Sequence, residues 1–347
     1  MQRILITGDI HGQWLDFRDE VNRTHKKDWP LDLAILCGDS QALRTEHDLE
    51  YLHCPAKYRK TGEFPEFYRG NEHFPVPVLL VGGNHEGWNF LDEYRDGGQL
   101  APGIDFIGRV GLREIDGLRI VGVSGVYSPK RFDSPHPAVP YGPSQKRLAT
   151  YYNREDIEKA LSYGSADILI LHEWPDLMNA ARDPTWPERW REVGSSELSR
   201  LIRELKPKCC FCGHMHLAAE LFHEDTRIVC LSAFDKDFKN SIVIMEPEDY
   251  WIVWPRKLLD QIYTPVRSEL ANDSSHIEPI LEHMQRAIDK GRQFDELTVR
   301  RLARYLMDIG YYPYEEVVKH NSPDVTSMVF GLGVRWPEVI RSDEKKK

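Results

Sequence analysis

A chain of 347 residues with 41% hydrophobic and 29% charged side chains is long enough for one large core, or for a core domain plus a smaller one, and lacks the bias of a disordered polypeptide. Its net charge of −10 excludes a surface that attracts nucleic acid everywhere, leaving that role to a local basic patch. No apolar run approaches the ~20 residues of a membrane helix, and the opening "MQRILITGD" has no secretory apolar core, so an intracellular protein without a membrane partner is expected. Short apolar, β-branched runs then recur along the chain: "RILITGD" (3–9), "LDLAILCGD" (31–39), "PVLLVGGNHE" (77–86), "LRIVGVSG" (118–125), "ADILILHEWP" (166–175), "KCCFCGHMH" (208–216), "TRIVCLSAF" (226–234), "SIVIMEP" (241–247) and "YWIVWP" (250–255). Each has strand length and is bounded by Gly, Pro or Asp. Runs this continuously apolar suit strands buried on both faces, as in a layered α/β protein. Helical spacing predicts helices over 16–28, 153–164 and 194–207.

After Pro255 the character changes. Amphipathic patterns over 278–291 and 295–310 predict a helical C-terminal region, 256–347, following a domain of residues 1–255. The six cysteines form no spaced disulfide framework, and the CxxC of Cys209 and Cys212 lacks the second half of a zinc site, so these thiols are expected as small hydrophobes in strands.

The chemistry lies where the strands stop. Asp9 and His11 end one run, Asp39 another, Asn84 and His85 a third, His172 a fourth, and His214 and His216 a fifth. Singly, each is an ordinary turn former or a core histidine. Together they place oxygen and nitrogen donors at the carboxyl ends of the strands, where open α/β sheets bind ligands. Such a mixed set suits two first-row divalent cations, which ~3.5–4 Å apart can activate water and clamp a phosphoryl oxygen. Other histidines fall outside these ends, with His53 and His136 near candidate substrate segments. Residues 127–154 form a basic stretch, with Lys130, Arg131, Lys146, Arg147 and Arg154 against the lone acid Asp133.

The ordered set Asp-x-His, Gly-Asp, Gly-Asn-His-Glu, His and Gly-His-x-His resembles the calcineurin-like metallophosphoesterases over roughly residues 1–250. The resemblance implies a four-layer α-β-β-α sandwich of two mixed sheets with helices outside. It implies that Asp9, His11, Asp39 and His216 hold one metal, and that Asp39, Asn84, His172 and His214 hold a second, with Asp39 bridging. His85 would then act on the leaving oxygen or grip the phosphate, with Glu86 orienting it or standing exposed in the turn. The metals would be two divalent ions: Mn2+, Fe2+ or Zn2+.

The stretches "GDSQALRTEHDLEYLHCPAKYRKTGEFPEFYRG", "GGNHEGWNFLDEYRDGGQLAPGIDFIGRVG", "VGVSGVYSP" and "LHEWP" are similar to those of RNA lariat debranching enzymes. In that family the insertion matching 127–154 is a lariat-recognition loop. By that likeness its Lys130, Arg131, Lys146 and Arg147 would meet phosphates of a branched or lariat RNA, and Tyr141, Tyr151 or Tyr152 would stack bases. Lys57, Tyr58 and Arg59 are second candidates for the same surface. Asp9 stands where many debranching enzymes have Cys, and the tail after residue 255 matches only weakly. Phosphoprotein phosphatases share "GNHE" but carry phosphate-gripping arginines where this chain has "GDSQALR" and "GGNHE", which favours a phosphodiester. Hydrolysis of the 2′,5′-phosphodiester of branched RNA is therefore expected, with nucleotides, phosphoproteins or linear nucleic acid as alternative substrates. A non-catalytic binding module would more readily have lost ligands. The sequence leaves the oligomeric state open.

Overall fold

Strands that are apolar at every position need cover on two sides, and here each sheet has another sheet on one face and helices on the other. The computed structural model describes residues 3–27, 30–55, 59–182, 186, 188–190, 192–234, 241–246 and 252–255. All belong to one unit, Met1–Arg256. The helices expected over 278–291 and 295–310, the region 256–347 as a whole, and Lys57 and Tyr58 lie outside the described residues.

Among the described residues the first sheet holds seven strands and the second six. Its centre is parallel: β1 (Ile4–Thr7), β2 (Leu33–Cys37), β3 (Val78–Val81) and β5 (Ile104–Phe106). Antiparallel strands flank it, β4 (Gly98–Ala101) beyond β5, and β12 (Val243–Glu246) then β13 (Ile252–Pro255) beyond β1. The second sheet repeats the plan. Here β7 (Leu118–Val123), β8 (Ile168–Leu171), β9 (Cys209–Cys212) and β11 (Thr226–Cys230) run parallel between antiparallel β6 (Val110–Ile115) and β10 (Ala219–His223).

Alternation along each strand divides the core in two. Ile4, Ile6, Ile35 and Val81 of the first sheet pack with Ile168, Ile170, Cys209 and Phe211 of the second. Their neighbours Leu169, Leu171, Cys210 and Cys212 turn the other way, against helices α4 (Arg154–Leu161) and α5 (Ser196–Leu205). Helix α5 buries Leu198, Leu201, Ile202 and Leu205, the 3.6-residue stripe its sequence shows. Ser195 caps its start by accepting the Glu197 N–H, and Lys206 ends it in the left-handed region before Pro207. Helix α4 begins with a reciprocal capping box between Asn153 and Asp156. Helices α1 (Trp14–Thr24) and α2 (Phe64–Tyr68) share an aromatic cluster, with the ring centroids of Trp14 and Phe64 4.9 Å apart and those of Phe17 and Phe74 5.1 Å apart, and the single turn α3 (Trp88–Leu91) follows β3. The architecture is the four-layer sandwich of two mixed sheets that the sequence led us to expect.

The differences are local. Strands β4, β5, β6 and β10 were not among the expected runs, because Gly or charged residues interrupt them and part of each faces solvent. The β6–β7 hairpin turns on Asp116-Gly117, both at positive φ, a local signal for a two-residue turn. Helix α1 is expected to reach residue 28 but stops at Thr24, where His25 is already extended.

Candidate metal centre

Five loops leave the carboxyl ends of β1, β2, β3, β8 and β9 and interlock through their backbones. Asp9 N donates to Gly38 O (3.0 Å), His11 N to Asp39 O (2.9 Å) and Gly213 N to His172 O (2.9 Å). The turns are too tight for ordinary backbone: Asp9, His11, Asp39, His214 and His216 all have φ between 45° and 70°.

Glycines make room for the crossing. A Cβ on Gly83 would lie 2.2 Å from Asp39 Oδ1, and one on Gly213 would lie 2.4 Å from Asp9 Oδ2. One on Gly38 would lie 2.4 Å from His172 Nδ1. These three are the glycines of the Gly-Asp, Gly-Asn-His and Gly-His motifs, so the motif spacing follows from loop nesting.

Donor atoms of Asp9, His11, Asp39 and His216 all lie within 4.8 Å of one another. His11 Nε2 and His216 Nε2 face each other at 3.2 Å, and His216 Nε2 is 3.3 Å from Asp9 Oδ1. Asp39 is shared with a second group. His172 Nδ1 donates to the Cys37 carbonyl (2.9 Å), which turns Nε2 towards Asn84 Oδ1 (3.0 Å) and Asp39 Oδ1 (3.3 Å). Lone pairs so directed repel unless a proton or a cation lies among them. The rings of His172 and His214 are 4.9 Å apart, and His214 N donates to Asp9 Oδ2 (3.0 Å). Carboxylate, amide and imidazole converging from both sheets fit divalent cations.

The electrostatics agree. Burial would raise Asp39, but His172, His85 and His11, with the His85 N–H, hold its carboxyl well below the usual range. Burial pushes His11 down, and burial beside His172 pushes His214 to about 4. Burial also pulls on His172 and His216, yet the carboxylates lift both above 6.5: Asp39 then Asp9 for His172, Asp9 then Asp39 for His216. Protons therefore compete for these two lone pairs more strongly than for a free imidazole, whereas burial holds His214 down to about 4. Mn2+ affinity, followed by titration calorimetry from about pH 8 to about pH 5.5, is expected to fall progressively, and an affinity flat across that range would exclude histidine ligation.

His85 borders the centre. Its N–H donates to Asp39 Oδ1 (2.7 Å), its ring Nδ1 donates to His53 O (2.7 Å), and its Nε2 accepts from Asn84 Nδ2 (3.1 Å). Its Nε2 is 3.9 Å from Asp39 Oδ2, close to the donor set without sharing it.

Residues 2–218 match the family model of the calcineurin-like phosphoesterases. Over 260 residues the chain is 31% identical to a lariat debranching enzyme of Entamoeba histolytica, covering 71% of this chain and 72% of that one. This chain is a lariat-debranching-enzyme-like member of the calcineurin-like phosphoesterase family. It is also 32% identical to the lariat debranching enzyme of Arabidopsis thaliana over 67% of this chain and 60% of the relative, and 30% identical to the human one over 64% and 44%. The matched part thus spans well under two thirds of the human relative's length and 60% of the Arabidopsis one. Among the described residues, no helix is long and apolar enough to cross a membrane.

Around the phosphoesterase centre the expected substrate residues divide. Lys146 donates from Nζ to Glu50 O (3.2 Å), and the charges of Arg147 and Lys146, after burial, push His53 down. Arg59 and Lys146 act in the same way on Cys54, opposing its burial. Lys146 thus touches the 50–54 segment directly, Arg147 and Lys146 lie within electrostatic reach of His53, whose carbonyl holds His85, and Arg59 within reach of Cys54. Lys130 and Arg131 stand exposed on the turn opened by Ser128, and Arg154 is neutralised by Asp133 at 2.7 Å.

Two aromatic expectations need correction. Tyr141 is 7% exposed with its hydroxyl on Asp92, and Tyr152 is 1% exposed with its hydroxyl on Glu173, so neither presents a face for a base. Of the three tyrosines, Tyr151 is partly exposed, and its Oη accepts from Arg147 Nε (2.9 Å). Glu86 is corrected as well. Fully buried, it accepts from Ser40 N and Gln41 N (2.8 Å each) and Gly83 N (3.2 Å), bracing the Asp39 turn instead of orienting His85. Burial and Asp39 push its carboxyl up to about 7. His136 fastens the basic segment to the α4 cap through Asp156 (2.7 Å).

Proposed function

We propose that this chain is a metal-dependent phosphodiesterase that hydrolyses the 2′,5′-phosphodiester at the branch of an RNA. The observation that supports the reading is His85, whose N–H donates to Asp39 Oδ1 at the candidate metal centre and whose ring Nδ1 donates to the carbonyl of His53, a residue within electrostatic reach of Arg147 and Lys146. Lariat debranching enzymes among the relatives support the substrate class. Asp9, His11, Asp39 and His216 would hold one cation, and Asp39, Asn84, His172 and His214 the other. Bound there, divalent ions neutralise charge on phosphoryl oxygens and make water more acidic.

The chain's own residues supply the rest. The His53 carbonyl accepts from Nδ1–H, which leaves the Nε2 lone pair facing the Asn84 amide; to pass a proton to the departing 2′-oxygen, Nε2 would first take one up from solvent and release that amide. Asn84 plays two parts, offering Oδ1 to the donor set and holding the His85 ring through Nδ2. Lys146 and Arg147 would meet flanking phosphates, confining RNA to one region of an otherwise acidic surface.

Purified protein supplied with Mn2+ or Fe2+ is expected to cleave a branched RNA at the 2′,5′ linkage and leave a linear 3′,5′ RNA of the same sequence intact. Absence of cleavage, or equal cleavage of the two, would overturn the reading.

A further inference from the structure

The basic segment 127–154 is fastened to the domain at several places besides the His136 and Lys146 contacts above, among them the carbonyl of Pro137, which accepts from Arg95 Nη2 (3.2 Å). At its base Val126 bridges Tyr151, Tyr152 N donates to Val126 O (3.1 Å), and Glu173 accepts from Tyr127 N and the Tyr152 hydroxyl. Further along, Tyr141 inserts its ring and donates to Asp92 Oδ2 (3.2 Å).

Asp92 is 5% exposed and receives both Nε and Nη2 of Arg109 at 2.7 Å, a bidentate pair. The remaining Arg109 nitrogen, Nη1, donates to Ala149 O (2.7 Å). The guanidinium lies 3.8 Å from the centroid of the Trp88 ring, and Trp88 Nε1 donates to Gly83 O (3.1 Å). One buried cation thus touches the basic segment twice, at Tyr141 through Asp92 and at Ala149 directly. Through the indole it also reaches the turn that carries Asn84 and His85. Lys146 and Arg147 fall between those two points of attachment.

We infer that the Tyr141–Asp92–Arg109 network is a positioning device: it fixes Lys146 and Arg147 relative to the His85 turn and so governs how tightly a polynucleotide is held, without touching it. The inference rests on the RNA reading above. A buried ion pair with its hydrogen bonds satisfied is a rigid reference point, and the loss of one partner lets its neighbours relax.

The test compares Tyr141→Phe, which removes one hydroxyl, with Asp92→Asn, using bis(p-nitrophenyl) phosphate with Mn2+ and a fluorescently labelled branched RNA. Tyr141→Phe is expected to raise the RNA KM and the anisotropy Kd about five- to ten-fold, with kcat and small-diester hydrolysis within about two-fold. In a Lys146→Ala/Arg147→Ala background the same change is expected to add less than about two-fold, because the network would act through those side chains. Asp92→Asn is expected to act in the same direction and more strongly, and if it fails to fold the tyrosine variant still decides.

Equal losses on the small diester and on RNA, full additivity in the double background, or unchanged RNA binding would each overturn the inference. If the unaltered protein binds the RNA without cleaving it, the debranching reading falls while the binding comparison still decides the inference. If it does not bind RNA, both fall.

Discussion

His85→Ala is expected to lower the turnover of a branched RNA by about 10²–10⁴-fold while metal content and fold stay as they are. The ring is tied to the centre by hydrogen bonds, to the His53 carbonyl and the Asn84 amide, and lies outside the group of donors that close within 4.8 Å. Truncation leaves both partners partly exposed to water, which replaces the lost bonds, so little stability is expected to go with the ring. On the proposed reading, what is lost is the group that would relay a proton to the departing 2′-oxygen through Nε2. The signature is a fall in kcat with KM little changed, alongside an unaltered metal-to-protein ratio by atomic emission. Unimpaired turnover, or metal lost in step with activity, would remove His85 from the role proposed for it.

Gly83→Ala is expected to be nearly as damaging from a single methyl group. The added Cβ would sit 2.2 Å from Asp39 Oδ1, 2.4 Å from Asp39 N and 2.8 Å from His172 Cε1, and two of these are close contacts with the shared carboxylate residue itself. No flexible side-chain end is available to yield. Either the turn bearing Asn84 and His85 moves outward or Asp39 does, and either shift separates donors that must meet. A displacement near 1 Å is enough for about a 10²-fold loss of activity, and weaker retention of one or both cations should accompany it. Far-ultraviolet circular dichroism should be unchanged, since the sheets do not depend on this contact. Full activity with a full complement of metal would show that the loops are less tightly interlocked than their geometry indicates.

The sequence carried the centre of this molecule better than its rim. Strand ends such as Asp9, Asp39 and His172 were legible because each follows an apolar run that ends abruptly, and two sheets buried on both faces leave few other places for those runs to go. The edge strands β4, β6 and β10 were not, since half-exposed positions dilute the alternation that marks a strand. Asp116-Gly117 was the readable cue for one of them. Glu86 looked like a turn residue because its burial depends on three N–H groups contributed by two separate loops, which no local pattern announces. Tyr141 misled in the opposite sense. Among prolines and basic residues it reads as an exposed ring, and its true partners, Asp92 and Arg109, are distant in sequence. Charge picked out the basic segment but could not separate Lys146 and Arg147 from Lys130 and Arg131, because an electrostatic effect on His53 arises only when the chain has folded.

The left-handed turns at Asp9, His11, Asp39, His214 and His216 bear on how this centre can change over time. Glycine would relax each of them but brings no donor atom. Valine, isoleucine and threonine are branched at Cβ and would crowd the backbone there. The side chains that tolerate this conformation best among non-glycine residues are aspartate, asparagine and histidine, and these are also hard or borderline ligands. Steric and coordination demands therefore favour the same small alphabet, so exchanges within it are expected to disturb these turns least; the cysteine that many debranching enzymes carry at the position of Asp9 lies outside that alphabet, yet it too is unbranched at Cβ and offers a donor atom.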